Sequence, residues 1–267
     1  MKLVFSTNPY KENAAELMNK LADKTARRGA EVASAMGSEE LAKLVGSGWS
    51  DADCIVTIGG DGTILRAMHA ASKCGVPVLG INMGRVGFFS EIGAEGFDTA
   101  LDRLYSGSYD IEQRTMLRCC VNGEYVGDCL NDYSVHRQEL SSIVQLDLYV
   151  DGDAVGNVMA DGLIVATPSG STAYTMSAGG PVVAPKLECM LVTPVCPHSL
   201  TIRPIVASSD SFVEAKVKSF CRLIEDGQNV RIIEPGDTVS VCRSQYTAKF
   251  IRFDKRNVFK LLREKLQ

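Results

Sequence analysis

A chain of 267 residues, 45% hydrophobic and 22% charged with a net charge of −4, has room for one or two globular domains and no general attraction for nucleic acid or anionic membrane. No apolar run approaches the roughly 20 residues that cross a bilayer, and residues 2–6 are too short for a signal core, so a cytoplasmic protein is expected. Nine cysteines form neither a CxxC pair nor a Cys/His zinc spacing, which suits small buried hydrophobes in a reducing compartment.

Residues 3–6 predict a first strand, and Asn8-Pro9 a turn. The stripe Ala14, Leu17, Met18, Leu21 and Ala22 predicts a helix over 12–28. A short helix follows from Ser38, then a strand over 53–58, a glycine loop, a helix over 63–72, a strand over 76–81 and a helix over 97–104. Alternating strands and helices imply a parallel sheet covered on both faces. Near Tyr109 the pattern changes to short alternating runs punctuated by Asn122-Gly123, Asp151-Gly152 and Pro235-Gly236-Asp237. That signals a β-rich, antiparallel, sandwich-like second domain. The expected organisation is therefore an α/β domain with a parallel sheet over 1–108 and a β-rich domain over 109–254. An amphipathic C-terminal helix over 255–267 is free to pack back on the first domain.

The most informative stretch runs from the apolar strand Cys54-Ile55-Val56-Thr57-Ile58 into Gly59-Gly60-Asp61-Gly62-Thr63. Glycines admit a ligand to bare backbone, Thr63 is placed to cap the next helix, and a helix N-terminus favours phosphate oxygens. Asp61 is the odd member. A carboxylate beside phosphate is repelled unless it holds a metal or takes a proton, so a general base is one reading and a tight Asp-Gly turn the other. The loop lacks the lysine of GxxxxGK[ST] and the spacing of GxGxxG, which disfavours an ordinary P-loop NTPase and a dinucleotide dehydrogenase. A second segment, Thr167-Pro168-Ser169-Gly170-Ser171-Thr172-Ala173-Tyr174, follows a strand over 163–166 and predicts a short helix near Thr172. Either its hydroxyls and amides bind ribose and phosphate and Tyr174 offers a ring for stacking, or the run is a Ser/Thr turn with Tyr174 in the core. Asn131-Asp132 can read a nucleobase edge and a ribose, or form a turn.

These segments, with Gly80-Ile81-Asn82-Met83-Gly84, Gly87-Phe88 and the run from Thr193 to Leu200 with Arg203-Pro204, resemble the NAD kinase family. The resemblance implies an enzyme that moves the γ-phosphoryl group of ATP to the 2′-hydroxyl of the adenosine ribose of NAD, giving NADP. It also implies a divalent metal, Mg²⁺, arriving with ATP rather than in a dedicated protein cage, and a homodimer or homotetramer. Asp61 matches the catalytic base, Gly60 and Gly62 its loop, and Arg66 a basic position suited to phosphate. Asn131 and Asp132 match a pair that contacts the dinucleotide, and Asp161 a carboxylate near the nicotinamide half. Ser169, Thr172, Ala173, Tyr174 and Ser177 match adenosine-side contacts, with Thr175 and Met176 counted in the same run, and Gln228 matches a late ligand contact. His198 is read as a structural hydrogen bonder. One departure stands out: Met159 occupies a place where many relatives carry Arg or Lys, so no charge-assisted contact comes from that side chain. Polyphosphate remains open as donor. The competing readings are a lipid kinase sharing the GGDGT loop, which would need a membrane-facing basic helix such as 255–265, and a non-catalytic dinucleotide-binding protein.

Overall fold

The computed structural model describes residues 1–10, 12–84, 87–139, 141–199, 201–254 and 258–266. Arg85, Val86, Leu200 and residues 255–257 and 267, which fall within the motifs and the C-terminal stretch singled out above, lie outside the described residues. The chain forms two compact units, Met1–Gln113 with Thr247–Gln267, and Arg114–Tyr246.

The first unit runs β1 (Lys2–Thr7), α1 (Glu12–Arg27), β2 (Glu31–Met36), α2 (Ser38–Gly46), β3 (Cys54–Ile58), α3 (Asp61–Cys74), β4 (Val78–Asn82), β5 (Ile92–Gly93) and α4 (Phe97–Ser106). Parallel pairing gives the order β2-β1-β3-β4-β5. β3 and β4 are buried along their whole length, as strands covered on both faces must be, which is why their sequences are unbroken apolar runs. Leu3, Phe5, Val56, Ile58, Leu79 and Ile81 pack with the apolar stripe of α1 and with Phe97 and Leu101 of α4. Strand β2 went unanticipated. Its sequence, Glu-Val-Ala-Ser-Ala-Met, has little β-branched character, and as the edge partner of β1 it keeps most side chains partly exposed. The start of α3 is also corrected. The helix begins at Asp61 with Gly60 as its N-cap, and Thr63 is not the cap. The extended Gly60 lets its carbonyl accept both Thr63 N–H (2.9 Å) and Ile64 N–H (3.2 Å).

Among the described residues the second unit is β apart from a 3-10 turn over Gly170–Thr172 and one short helix. Its elements are β6 (Asp110–Val121), which enters from the first unit, β7 (Glu124–Cys129), β8 (Asp132–Arg137), β9 (Val144–Val150), β10 (Asp153–Ala160), β11 (Gly162–Ala166), α5 (Tyr174–Ser177), β12 (Cys189–Val195), β13 (Ile205–Ser208), β14 (Val213–Val217), β15 (Cys221–Glu225), β16 (Gln228–Ile233) and β17 (Thr238–Arg252), whose end returns to the first unit. A final helix, α6 (Val258–Leu266), follows. One antiparallel sheet has the order β13-β12-β11-β8-β15-β16, and the facing layer includes β10-β9-β14-β17. Alternate residues such as Val135, Leu163, Leu146, Leu148, Ala215 and Val241 fill the space between them. The hairpins turn at Asn122-Gly123, Asp151-Gly152 and Asp226-Gly227, each pair at positive φ, which matches the twist of the strands it joins. On its other face β11 and β12 bury Ile164, Ala166, Leu191 and Val195 against the segment that carries Ala178 and Val183. That second small core fixes the segment after β11, which carries seven of the anticipated site residues, from Ser169 to Ser177.

Candidate active site

In the first unit the junction between β3 and α3 presents Asp61 at the first helical position, where the helix dipole favours a negative charge. Its carboxylate accepts Phe88 N–H at Oδ2 (2.8 Å) and Phe89 N–H at Oδ1 (3.0 Å). The loop supplying those amides is braced by Gly87 N–H donating to Ser90 Oγ (2.7 Å) and by Gly84 N–H donating to Asn82 Oδ1 (2.8 Å). Gly87 is required by close approach: a Cβ there would lie 2.0 Å from Asp61 Oδ1.

A cavity of about 300 Å³ opens beside this helix, and Thr7, Asn8, Gly37, Ser38, Thr63 and Arg66 are among its lining residues. Gly37 is the N-cap of α2 and Ser38 its first residue, so backbone near two helix starts meets hydroxyls, an amide and one guanidinium. Glu39 also lines it, so the wall is not uniformly attractive to anions. Gly60 and Gly62 frame Asp61, and Arg66 is exposed one turn further on.

In the second unit Asn131 and Asp132 form a corner at the start of β8. Asp226, in the turn between β15 and β16, binds that corner through three amides: Leu130 N–H (3.0 Å), Asn131 N–H (2.7 Å) and Asp132 N–H (3.1 Å). The loop after β11 packs on the same corner. Thr167 donates to Leu130 O through its hydroxyl (2.5 Å) and to Asn131 O through its amide (2.8 Å). Gly170 sits so close that a Cβ would lie 2.2 Å from Asn131 O. Asn131 Oδ1 is buried without a hydrogen-bond partner among the described residues, a costly state that a ligand donor would relieve. Asp132 is 5% exposed, and its carboxyl is pushed up to about 7, by burial first and by the neighbouring Asp226 charge second.

Ser169 is buried and accepts a hydrogen bond from Arg114 Nη1 (3.2 Å), an arginine itself 4% exposed. Thr172 donates to Ser169 O (3.3 Å), Thr175 lies fully buried beneath the turn, Ala173 and Met176 are half-buried, and Ser177 is exposed. Tyr174 is exposed and stacks on His136 with ring centroids 5.3 Å apart. Burial holds the His136 imidazole below its ordinary value, with Asp161 pulling the other way. Arg137 pairs with Asp161 at 3.0 Å, and both line a cavity of about 400 Å³ with His136, Tyr174 and the exposed Cys196. Met159, in β10, is exposed and accepts the backbone N–H of His198 at its carbonyl (2.8 Å). Gln228 is exposed at the start of β16.

The second unit thus brings Asn131, Asp132, Ser169 and Thr172 onto one packed corner and sets Asp161 and Tyr174 around one cavity; Asp61 and Arg66 belong to the first unit. Sequence reasoning missed Asp226, Arg114, His136, Arg137 and Phe89. Asp226 sits two residues before Gln228, but an Asp-Gly turn carries no mark of the strand corner it will tie. Arg137 ends β8, the strand that Asp132 begins, and its pairing with Asp161, the residue before β11, carries no local sequence mark.

Comparison with known proteins gives the family and the fold. Residues 30–109 match the family model for the ATP-NAD kinase N-terminal domain, and residues 130–253 that for the ATP-NAD kinase C-terminal domain. The chain is 40% identical over 235 residues to an NAD kinase of Thermoplasma acidophilum, covering 85% of both chains. It is 42% identical over 217 residues to one of Methanopyrus kandleri, covering 80% of this chain and 78% of the relative. An NAD kinase from Archaeoglobus fulgidus, solved in complex with ATP, superposes with a TM-score of 0.79 at 28% identity, covering 99% of this chain and 98% of that one. Yeast NADH kinase complexed with NADH superposes with a TM-score of 0.87, covering 100% of this chain and 87% of that one; at 22% identity that likeness speaks for the fold alone.

Proposed function

The chain belongs to the ATP-NAD kinase family, kinases that transfer phosphate to NAD, and on that premise we propose that Asp61 is the base that takes the proton of the 2′-hydroxyl of the adenosine ribose as it attacks the γ-phosphorus of ATP. The observation that carries this reading is the pair of amide bonds fixing both Asp61 oxygens. A carboxylate offers about four acceptor sites, so such anchoring is compatible with one more bond from a hydroxyl. The triphosphate is assigned to the cavity walled by Ser38, Thr63 and Arg66. Mg²⁺ would arrive with the nucleotide and, when bound, would offset the charge of its phosphates. The donors in that wall, hydroxyls and amides rather than a carboxylate cluster, suit an ion that brings most of its ligands with it. Positioning supplies most of the acceleration.

On the dinucleotide side, Tyr174 stacks with the adenine, Asn131 and Asp132 read its edge and ribose, and Asp161 lies toward the nicotinamide half. Ser169, Thr172, Ala173, Thr175, Met176 and Ser177 form the adenosine-side wall and its support, and Gln228 closes the late contact. Arg137 supplies the cation that Met159 lacks. Arg137→Ala is expected to raise KM for NAD about 10-fold with little change in kcat, read from steady-state kinetics at saturating ATP. Gly87→Ala should act oppositely: a methyl group displaces the Asp61 carboxylate, so kcat falls about 100-fold while NAD affinity by calorimetry stays at the parent value.

The decisive assay supplies NAD, ATP and Mg²⁺ and reads NADP with an NADP-specific dehydrogenase, with polyphosphate as a parallel donor. No NADP from either donor would favour a dinucleotide-binding protein without catalysis. We further infer a cytoplasmic homodimer or homotetramer. All nine cysteines are unpaired, as a reducing compartment would keep them. The edge strands β13 and β16 carry exposed Val206, Val230 and Ile232, which a second copy could cover. Among the described residues no helix is long and apolar enough to cross a membrane.

A further inference from the structure

We propose that Arg252, near the end of β17, is a positioning residue for Asp61 and acts through Phe89; the proposal rests on the reading of Asp61 as base. Arg252 is 5% exposed. Its Nε donates to Glu112 Oε2 (2.6 Å), and its Nη1 donates to Glu91 Oε2 (3.0 Å) and to Phe89 O (3.2 Å). Glu91 is itself fixed, because its Oε1 accepts Phe253 N–H (2.9 Å). The guanidinium lies 4.9 Å from the centre of the Phe250 ring, and that ring stacks on Phe89 at 5.6 Å with an interplanar angle of 4°. Phe89 is therefore held by its carbonyl and by its ring, and its amide is one of the two that grip Asp61. A single residue separates the guanidinium from the carboxylate.

Stability alone is a poor reason for this cluster. Two carboxylates and one arginine are withdrawn from water, Arg252 Nη2 has no partner among the described residues, and buried charge of this kind is often matched or bettered by apolar side chains. What the cluster supplies is direction. The planar guanidinium fork fixes several acceptors at set angles, which a flexible ammonium does not. A base displaced by about 1 Å can lose about 100-fold in rate, so a rigid carbonyl clamp one residue from the base has a catalytic consequence.

The test is a set of variants assayed per active site, with sites counted by NAD titration so that unfolded protein does not register. Arg252→Lys keeps a cation and loses the fork; kcat should fall about 10-fold with KM for NAD and ATP within about twofold of the parent. Arg252→Met combined with Glu91→Gln and Glu112→Gln removes the charges together, and kcat should fall about 100-fold with the same flat KM values. In an Asp61→Asn background neither set should lower the residual turnover further, because the group they act through is already gone. Parent-like kcat in Arg252→Lys overturns the proposal, and so does an equal fold-loss in both backgrounds, which would mark Arg252 as merely structural. If the neutral set fails to fold, Arg252→Lys decides on its own. Parent-like turnover of Asp61→Asn by itself would be a distinct result: it would remove the base reading, and this proposal with it.

Discussion

Asp61→Asn should lower turnover by about 10²–10⁴-fold while NAD still binds and the chain still folds. The geometry sets both halves of that expectation. The carboxylate accepts one amide at each oxygen, from Phe88 and Phe89. An asparagine oxygen can keep one of those bonds, but its NH₂ group then faces the other N–H, donor against donor. The loop therefore loses about 1–2 kcal/mol of local stability, far less than unfolding requires. The larger effect is chemical, since an amide has no useful basicity at neutral pH and the attacking hydroxyl keeps its proton. Steady-state kinetics with both substrates, beside NAD binding by calorimetry, separates the two. A variant with near-parent kcat would take Asp61 out of the chemistry.

The second large effect concerns pH and Asp132. Its carboxyl titrates near 7 in the folded protein against an ordinary 3.8, because burial and then the Asp226 charge disfavour ionisation. An unfolded chain ionises this group near 3.8, so between there and 7 the folded state holds a proton that the unfolded state has released. The contribution to stability is thus fully present below about 4 and is lost as pH rises through about 7. The loss is on the order of 4 kcal/mol. Asparagine resembles the protonated acid and does not titrate. Urea unfolding should therefore give Asp132→Asn close to parent stability near pH 4, with a gap in the variant's favour that widens up to pH 8. The Asp226 ties survive the change because they come from backbone amides. A gap independent of pH would mean that Asp132 is already ionised in the fold.

The division of labour between local and distant signals explains what could be read in advance. β3, β4 and the glycine junction were legible because an unbroken apolar run ending in Gly-Gly-Asp-Gly admits few alternatives. The alternating strands and their Asn-Gly and Asp-Gly turns were legible for the same reason. β2 was not, since Ala and Ser at a sheet edge mark no strand until β1 is there to pair with it. The start of α3 was misplaced because a threonine two residues after an aspartate resembles a cap. The deciding fact was that Asp61 binds amides 27 and 28 residues away. The same limit hid Asp226, whose partners lie 94 to 96 residues earlier. The upward shift of the Asp132 carboxyl comes from burial first and the Asp226 charge second, both products of the tertiary fold and not of the Asn-Asp dipeptide.

The distribution of thiols has a practical side. Burial pushes the thiols of Cys54, Cys119, Cys129, Cys189, Cys221 and Cys242 upward, which starves them of the reactive anion, whereas Cys196 is exposed on the wall shared with Tyr174. Cys74 and Cys120 are only partly exposed, so a maleimide dye used in limiting amount should favour Cys196, beside the Tyr174–His136 pair, without any engineered handle.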